Sequence, residues 1–74
     1  METIFKSNSS AFTRIGHDPE TRRLRVWFRK KDIWESESDP YTHFRLPEEL
    51  AMRFINATSQ GTFYANYIRG RFGP

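Results

Sequence analysis

Between Thr21 and Lys31 the chain reads TRRLRVWFRKK, and this alternation constrains the fold more than any other stretch of its 74 residues. A strand repeats its side-chain direction every two residues, so Leu24, Val26 and Phe28 fall on one face and Arg23, Arg25, Trp27 and Arg29 on the other. The first face is suited to a core. The second surrounds a tryptophan with cations, and it is either an ordinary solvated surface or the working surface of the protein.

The charges flanking this strand are unevenly distributed. From Arg14 to Lys31 seven cations stand against two acids, whereas from Asp32 to Glu49 six acids stand against Arg45. The formal net charge of +3 conceals that asymmetry. A cluster of arginines makes a polyanion the first partner to consider.

Several classes of protein are disfavoured at once. Without cysteine there is no disulfide framework, and two separated histidines, His17 and His43, do not make the ligand set of a zinc site. No metal or cofactor is implied. The start METIFKSNSS lacks the apolar run of a signal peptide, and no stretch approaches the roughly 18 apolar residues of a membrane span, so a cytoplasmic location is expected. Glu48 and Glu49 read as partners of a helix dipole rather than as a catalytic pair, and neither histidine has a nucleophile and an orienting acid at a motif spacing. An enzyme is not expected.

Read along its length, the chain divides into a lead-in and one domain. Residues 1–9 are polar and are expected to be a flexible N-terminal lead-in, with a single domain over 10–72. In AFTRIGH, Phe12 and Ile15 cannot share a face of a regular strand, so a first strand over 11–17 should contain a bulge or a bend. Asp18-Pro19-Glu20-Thr21 has the chemistry of a turn and leads into a second strand over 22–30. An acidic loop follows near 30–40, in which Ile33 and Trp34 either fold back over the core edge or take part in binding.

YTHFRL alternates again, which predicts a third strand over 40–46 with Thr42, Phe44 and Leu46 on one face and Tyr41, His43 and Arg45 on the other. Pro47, Glu48 and Glu49 suit the start of a helix over 47–57, with Leu50, Ala51, Phe54 and Ile55 on its inner side. Thr58-Ser59-Gln60-Gly61 supplies a break and a new cap for a second helix over 60–69, carrying Tyr64 and Ile68 inward. Gly70 is placed to end it. Strands before helices predict an α+β domain: a three-stranded antiparallel sheet followed by two helices packed on one face. The expected core is Leu24, Val26, Phe28, Phe44, Leu46, Leu50, Phe54, Ile55, Tyr64 and Ile68.

Several segments resemble the KTSC domain, named for its occurrence at the C-terminus of some lysyl-tRNA synthetases. They are SSAFTRIGHD, LRVWF, the aromatic strand leading into LPEEL, and above all ATSQGTFYANYIRGRF, so the resemblance spans Ser9 to Phe72. Its most specific part is the ending, met by Ser59, Gly61, Phe63, Tyr64, Ile68, Arg69 and Phe72. The resemblance implies a stand-alone KTSC-like domain with a role connected to RNA. Two departures stand out. The family's central Tyr-x-Tyr is Tyr41-Thr42-His43 here, and its short Gly-containing turn is replaced by the acidic KKDIWESESD, which would shield the basic face or select a partner.

Independently of that resemblance, the expected open sheet face carries the chemistry of a single-stranded nucleic-acid surface. Arginine pairs bidentately with phosphate, and flat aromatics stack unpaired bases. Trp27, Tyr41 and His43 would be the platform, with Arg23, Arg25, Arg29 and Arg45 on the backbone. Arg69 and Arg71 would either extend the phosphate track or cap the last helical turn. The expected function is therefore a non-enzymatic domain binding RNA or another single-stranded nucleic acid. The competing readings are a solvated face in which Trp27 braces Tyr41, and a module that docks a protein partner.

Overall fold

The computed structural model of the chain describes residues 1–30 and 37–72. Four strands, β1 (Thr3–Lys6), β2 (Phe12–Asp18), β3 (Arg23–Phe28) and β4 (Tyr41–His43), form one antiparallel sheet in chain order. Helix α1 (Glu48–Ile55) follows, then a short helix α2 (Gln60–Phe63) that passes directly into a π-helical turn, Tyr64–Ile68. The α+β class and the helices on one sheet face are as the sequence predicts. The number of strands is not.

The extra strand is β1, which lies within the expected lead-in. Thr3, Ile4 and Phe5 supply the branched and aromatic side chains that suit a strand, and Thr3 to Lys6 pair with Arg14 to His17. The polar run that follows them is the connection. The Ser7 and Ser9 hydroxyls accept the backbone N–H groups of Ser9 and Ala11 at 3.1 and 3.0 Å, which is how serines hold a turn.

The central hairpin forms for the reasons legible in its sequence. The Asp18 carboxylate accepts the backbone N–H of Glu20 at 3.0 Å, and β2 and β3 pair across the turn. The register shifts between Phe12 and Arg14, and the shift lets both Phe12 and Ile15 point into the core. Phe12 is the hub of that core. Its ring lies 5.3 Å from Phe28, 5.5 Å from Phe54 and 5.2 Å from Tyr64, so one side chain joins the sheet to both helical segments.

In β4 the faces are the reverse of those expected. Tyr41 pairs with Val26 and His43 with Leu24, so Tyr41 and His43 lie on the core side of the sheet, whereas Thr42 and Phe44 lie on the outer side. Strand pairing stops at His43, and Arg45 adopts a left-handed conformation with φ of 61°. That single turn of the backbone returns Leu46 to the core and breaks the simple alternation. Phe44, expected in the core, is 38% exposed beneath the Arg23 guanidinium.

The helices begin and end at the predicted signals. Pro47 precedes α1, Glu48 and Glu49 occupy its first turn, and the Ser59 hydroxyl accepts the Thr62 N–H at the start of α2. In the π turn Arg69 N–H donates to the Tyr64 carbonyl at 2.8 Å, five residues back, and Gly70 at φ of 79° ends the helix. No helix among the described residues is long and apolar enough to cross a membrane. Ile33 and Trp34 of the acidic loop lie outside the described residues.

Phe54 is fully buried between Phe12, Phe63 and Tyr64. Phe54→Ala should cost about 3 to 5 kcal/mol, enough to unfold a marginal domain of this size. Thermal melting checks this, and an unchanged transition would mean that the aromatic hub does not join sheet to helix.

Candidate functional site

Arg23, Arg25 and Trp27 do share the outer face of the sheet, but Trp27 is not an open platform there. The Arg14 and Arg25 guanidinium carbons sit 4.4 and 4.8 Å from the indole centroid, and the residue is 6% exposed. Each arginine is in turn held by a carboxylate. Arg25 Nε donates to Glu2 at 2.7 Å, and Arg14 Nη2 donates to Glu37 at 2.6 Å. The result is a ladder across the sheet, Glu2–Arg25–Trp27–Arg14–Glu37.

This ladder depends on strand β1, because Glu2 reaches Arg25 by lying over Gly16. A methyl group there would come within 2.8 Å of the Glu2 carboxylate and 2.9 Å of the Ile4 side chain. At the other end Glu37 also accepts the Thr13 hydroxyl, and its pKa is lowered by the Arg14 and Thr13 hydrogen bonds. Partly exposed ion pairs contribute only about 0 to 1 kcal/mol each. Their larger effect is to occupy the arginines and bury the indole. Arg29 is occupied differently: it is half-buried and donates to the Phe12 carbonyl at 3.3 Å.

The aromatic residues assigned from sequence to that face instead gather on the opposite side, at the β4 edge. His43, 2% exposed, places Nδ1 against the Phe72 carbonyl and Nε2 2.6 Å from the Tyr64 hydroxyl. A carbonyl only accepts, so Nδ1 carries the proton. In the neutral ring Nε2 then accepts from Tyr64. Burial pushes the Tyr64 hydroxyl up to about 12, with Tyr41 adding to the shift and Arg69 opposing it. His17, the other buried histidine, has an Nε2 without a partner among the described residues.

Above this pair lies a groove of about 700 Å³, walled by Phe28, Tyr41, Tyr64 and Phe72, with His43 at its base and Arg69 at its rim. Tyr41 is 44% exposed and its ring centroid is 4.9 Å from that of His43. Arg69 and Arg71 are exposed at the end of the π turn, and among the described residues neither forms an ion pair. Arg45 lies beyond the end of β4, away from the Trp27 ladder. The nine residues singled out from sequence therefore fall into separate groups rather than one surface.

A family model described as the KTSC domain matches residues 8–72. The chain belongs to the KTSC domain family. Its fold is similar to the crystal structure of a KTSC domain protein from Yersinia pestis, with a TM-score of 0.82 and 29% identity over 97% of this chain and 92% of that one. No curated protein matches. The matched span of this KTSC domain contains every wall of the groove as well as His43 and Tyr64, whereas β1 and Glu2 precede it.

Sequence reasoning did not anticipate the His43–Tyr64 pair, Phe72 as a wall, or Glu2 and Glu37 as partners of the sheet arginines. The first two had a signal in the sequence, because the resemblance places an aromatic at Tyr64 and at Phe72 with fixed spacing. Glu2 and Glu37 had none, since each is brought to its arginine by tertiary structure alone.

Tyr64→Phe should cost about 1 to 3 kcal/mol at neutral pH, because the buried Nε2 of His43 loses its donor. The same hydroxyl has an alkaline signature. With a folded pKa near 12 against about 10 unfolded, its contribution is intact below about pH 10 and is lost as pH rises toward 12. Denaturant midpoints across that window should fall more steeply for wild type than for Tyr64→Phe. Equal slopes would show that Tyr64 is not held as described.

Proposed function

We propose that this KTSC domain is a non-enzymatic binder of single-stranded nucleic acid, most directly RNA, and that an unpaired base enters the β4-edge groove rather than stacking on the outer sheet face. The observation that carries the reading is the groove itself: a half-exposed tyrosine over further aromatic walls, with an arginine at the rim that forms no ion pair among the described residues. Aromatic walls accept the face of any base, and stacking contributes about 1 to 3 kcal/mol per base. Arg69 is placed to pair with phosphate at the opening, and the net charge of +3 favours approach of a polyanion.

The outer face supports this relocation, because its tryptophan is covered and Arg14 and Arg25 already have carboxylate partners. The same chemistry argues for binding over catalysis. Tyr64 holds its proton well above neutrality and both nitrogens of His43 are engaged, so neither is poised as a general base or nucleophile. A cytoplasmic location, where RNA is available, belongs to the same proposal.

Fluorescence anisotropy with a labelled oligouridine tests it. Tyr41→Ala should weaken binding by about 1 to 3 kcal/mol with no change in salt dependence. Arg69→Gln should weaken it and flatten the log-log salt slope by about 0.7, the effect of one lost phosphate contact on a single strand. A folded wild type that binds no RNA at low salt, or a Tyr41→Ala variant of unchanged affinity, would overturn the proposal.

A further inference from the structure

Three arginines at the opposite end of β4 remain without an assignment. Arg22, at the exit of the Asp18–Thr21 turn, and Arg45, just beyond β4, both adopt left-handed backbone conformations, with φ of 56° and 61°. They are neighbours: the Leu46 N–H donates to the Arg22 carbonyl at 2.9 Å, which ties the two segments together. Arg23 follows Arg22, and its guanidinium lies 5.4 Å above the Phe44 ring. All three are exposed, and among the described residues none forms an ion pair. Asp18 lines the depression beside Arg23, with its carboxylate accepting the backbone N–H of Glu20.

Arginine is a poor backbone choice for the left-handed region, where glycine or asparagine is accommodated at less cost. At both positions, what arginine supplies is therefore its side chain: a planar donor fork matched to phosphate. The contrast with Arg14 and Arg25 is informative, because those two are consumed by Glu37 and Glu2. From Tyr41 to Arg45 the chain advances four residues and spans no more than about 14 Å. The patch and the groove therefore lie at the two ends of one edge.

We propose that Arg22, Arg23 and Arg45 form a phosphate-binding patch that holds the backbone of the same RNA strand whose base occupies the groove. The inference rests on the nucleic-acid reading above, and it adds a polarity: base recognition at the Tyr41 end, backbone capture at the Arg45 end. Phe44 supports the patch from below by fixing the Arg23 guanidinium over its ring.

The test uses the full chain, a labelled oligouridine and a series of salt concentrations. In the double variant Arg22→Gly/Arg45→Gly the positive-φ backbone is kept at no steric cost, so melting should be unchanged or raised. Binding should weaken on the order of 50-fold at 50 mM salt, and the log-log salt slope should flatten by about 1.4, the loss of two phosphate contacts. Arg22→Lys/Arg45→Lys should restore most of the slope, because charge is what the slope counts.

Wild-type affinity and slope in the glycine variant would overturn the patch while leaving the groove standing. A wild type that binds no RNA overturns both readings. Retention of the RNA slope beside lost binding to a polyglutamate peptide would also overturn the proposal, by assigning the patch to an acidic protein.

Discussion

The imidazole of His43 is held between the Tyr64 hydroxyl and the Phe72 carbonyl, and these two hydrogen bonds join the last strand to the final helical turn. A buried imidazole needs partners for both nitrogens, since an unpaired polar atom in a core carries its full desolvation penalty. The partners come from opposite ends of one short segment. The π turn directs the Tyr64 side chain inward, and the chain reversal at Gly70 brings the Phe72 carbonyl back toward the sheet. With His43 facing inward, the period of two places Tyr41 on the same side and Phe44 outside. The groove, its aromatic walls and the exposure of Phe44 all follow from that one orientation.

The two faces of the sheet solve different problems. The inner face buries apolar rings around Phe12, and the outer face must cover a tryptophan without exposing it. It does so with arginines, whose guanidiniums lie over the indole and whose charges are returned to neutrality by Glu2 and Glu37. Strand β1 and the chain at Glu37, held to the sheet by backbone pairing, bring these carboxylates to the arginines. The arginines over the indole are thus internally compensated, and among the described residues the exposed arginines in no ion pair sit at the β4 edge and the chain reversals.

Much of this organisation was legible before any coordinates. The Asp-Pro turn, the bulge between Phe12 and Ile15, the cap at Ser59 and the stop at Gly70 are local chemistry, and each stands where the residues indicated. The faces of β4 were not legible, because the alternation of Thr42, Phe44 and Leu46 is interrupted by a left-handed arginine that carries no signal of its own. Strand β1 was hidden by the serines that follow it. The covering of Trp27 was invisible for a further reason: its carboxylate partners are more than 20 residues from their arginines and meet them only in the folded sheet. Local signals predict elements well, whereas the pairing of charges across a sheet is decided by tertiary geometry.

The proposed ligand contacts lie along the β4 edge and not on the Trp27 ladder of the outer sheet face. The most direct measurement is a titration of the isotopically labelled protein with oligouridine, followed residue by residue through backbone amide NMR shifts. Binding at the edge should give the largest changes at Phe28, Tyr41, Arg69, Gly70 and Phe72, with Trp27, Arg25 and Arg14 little affected. Changes confined to Trp27 and its flanking arginines, or none anywhere at saturating RNA, would contradict it.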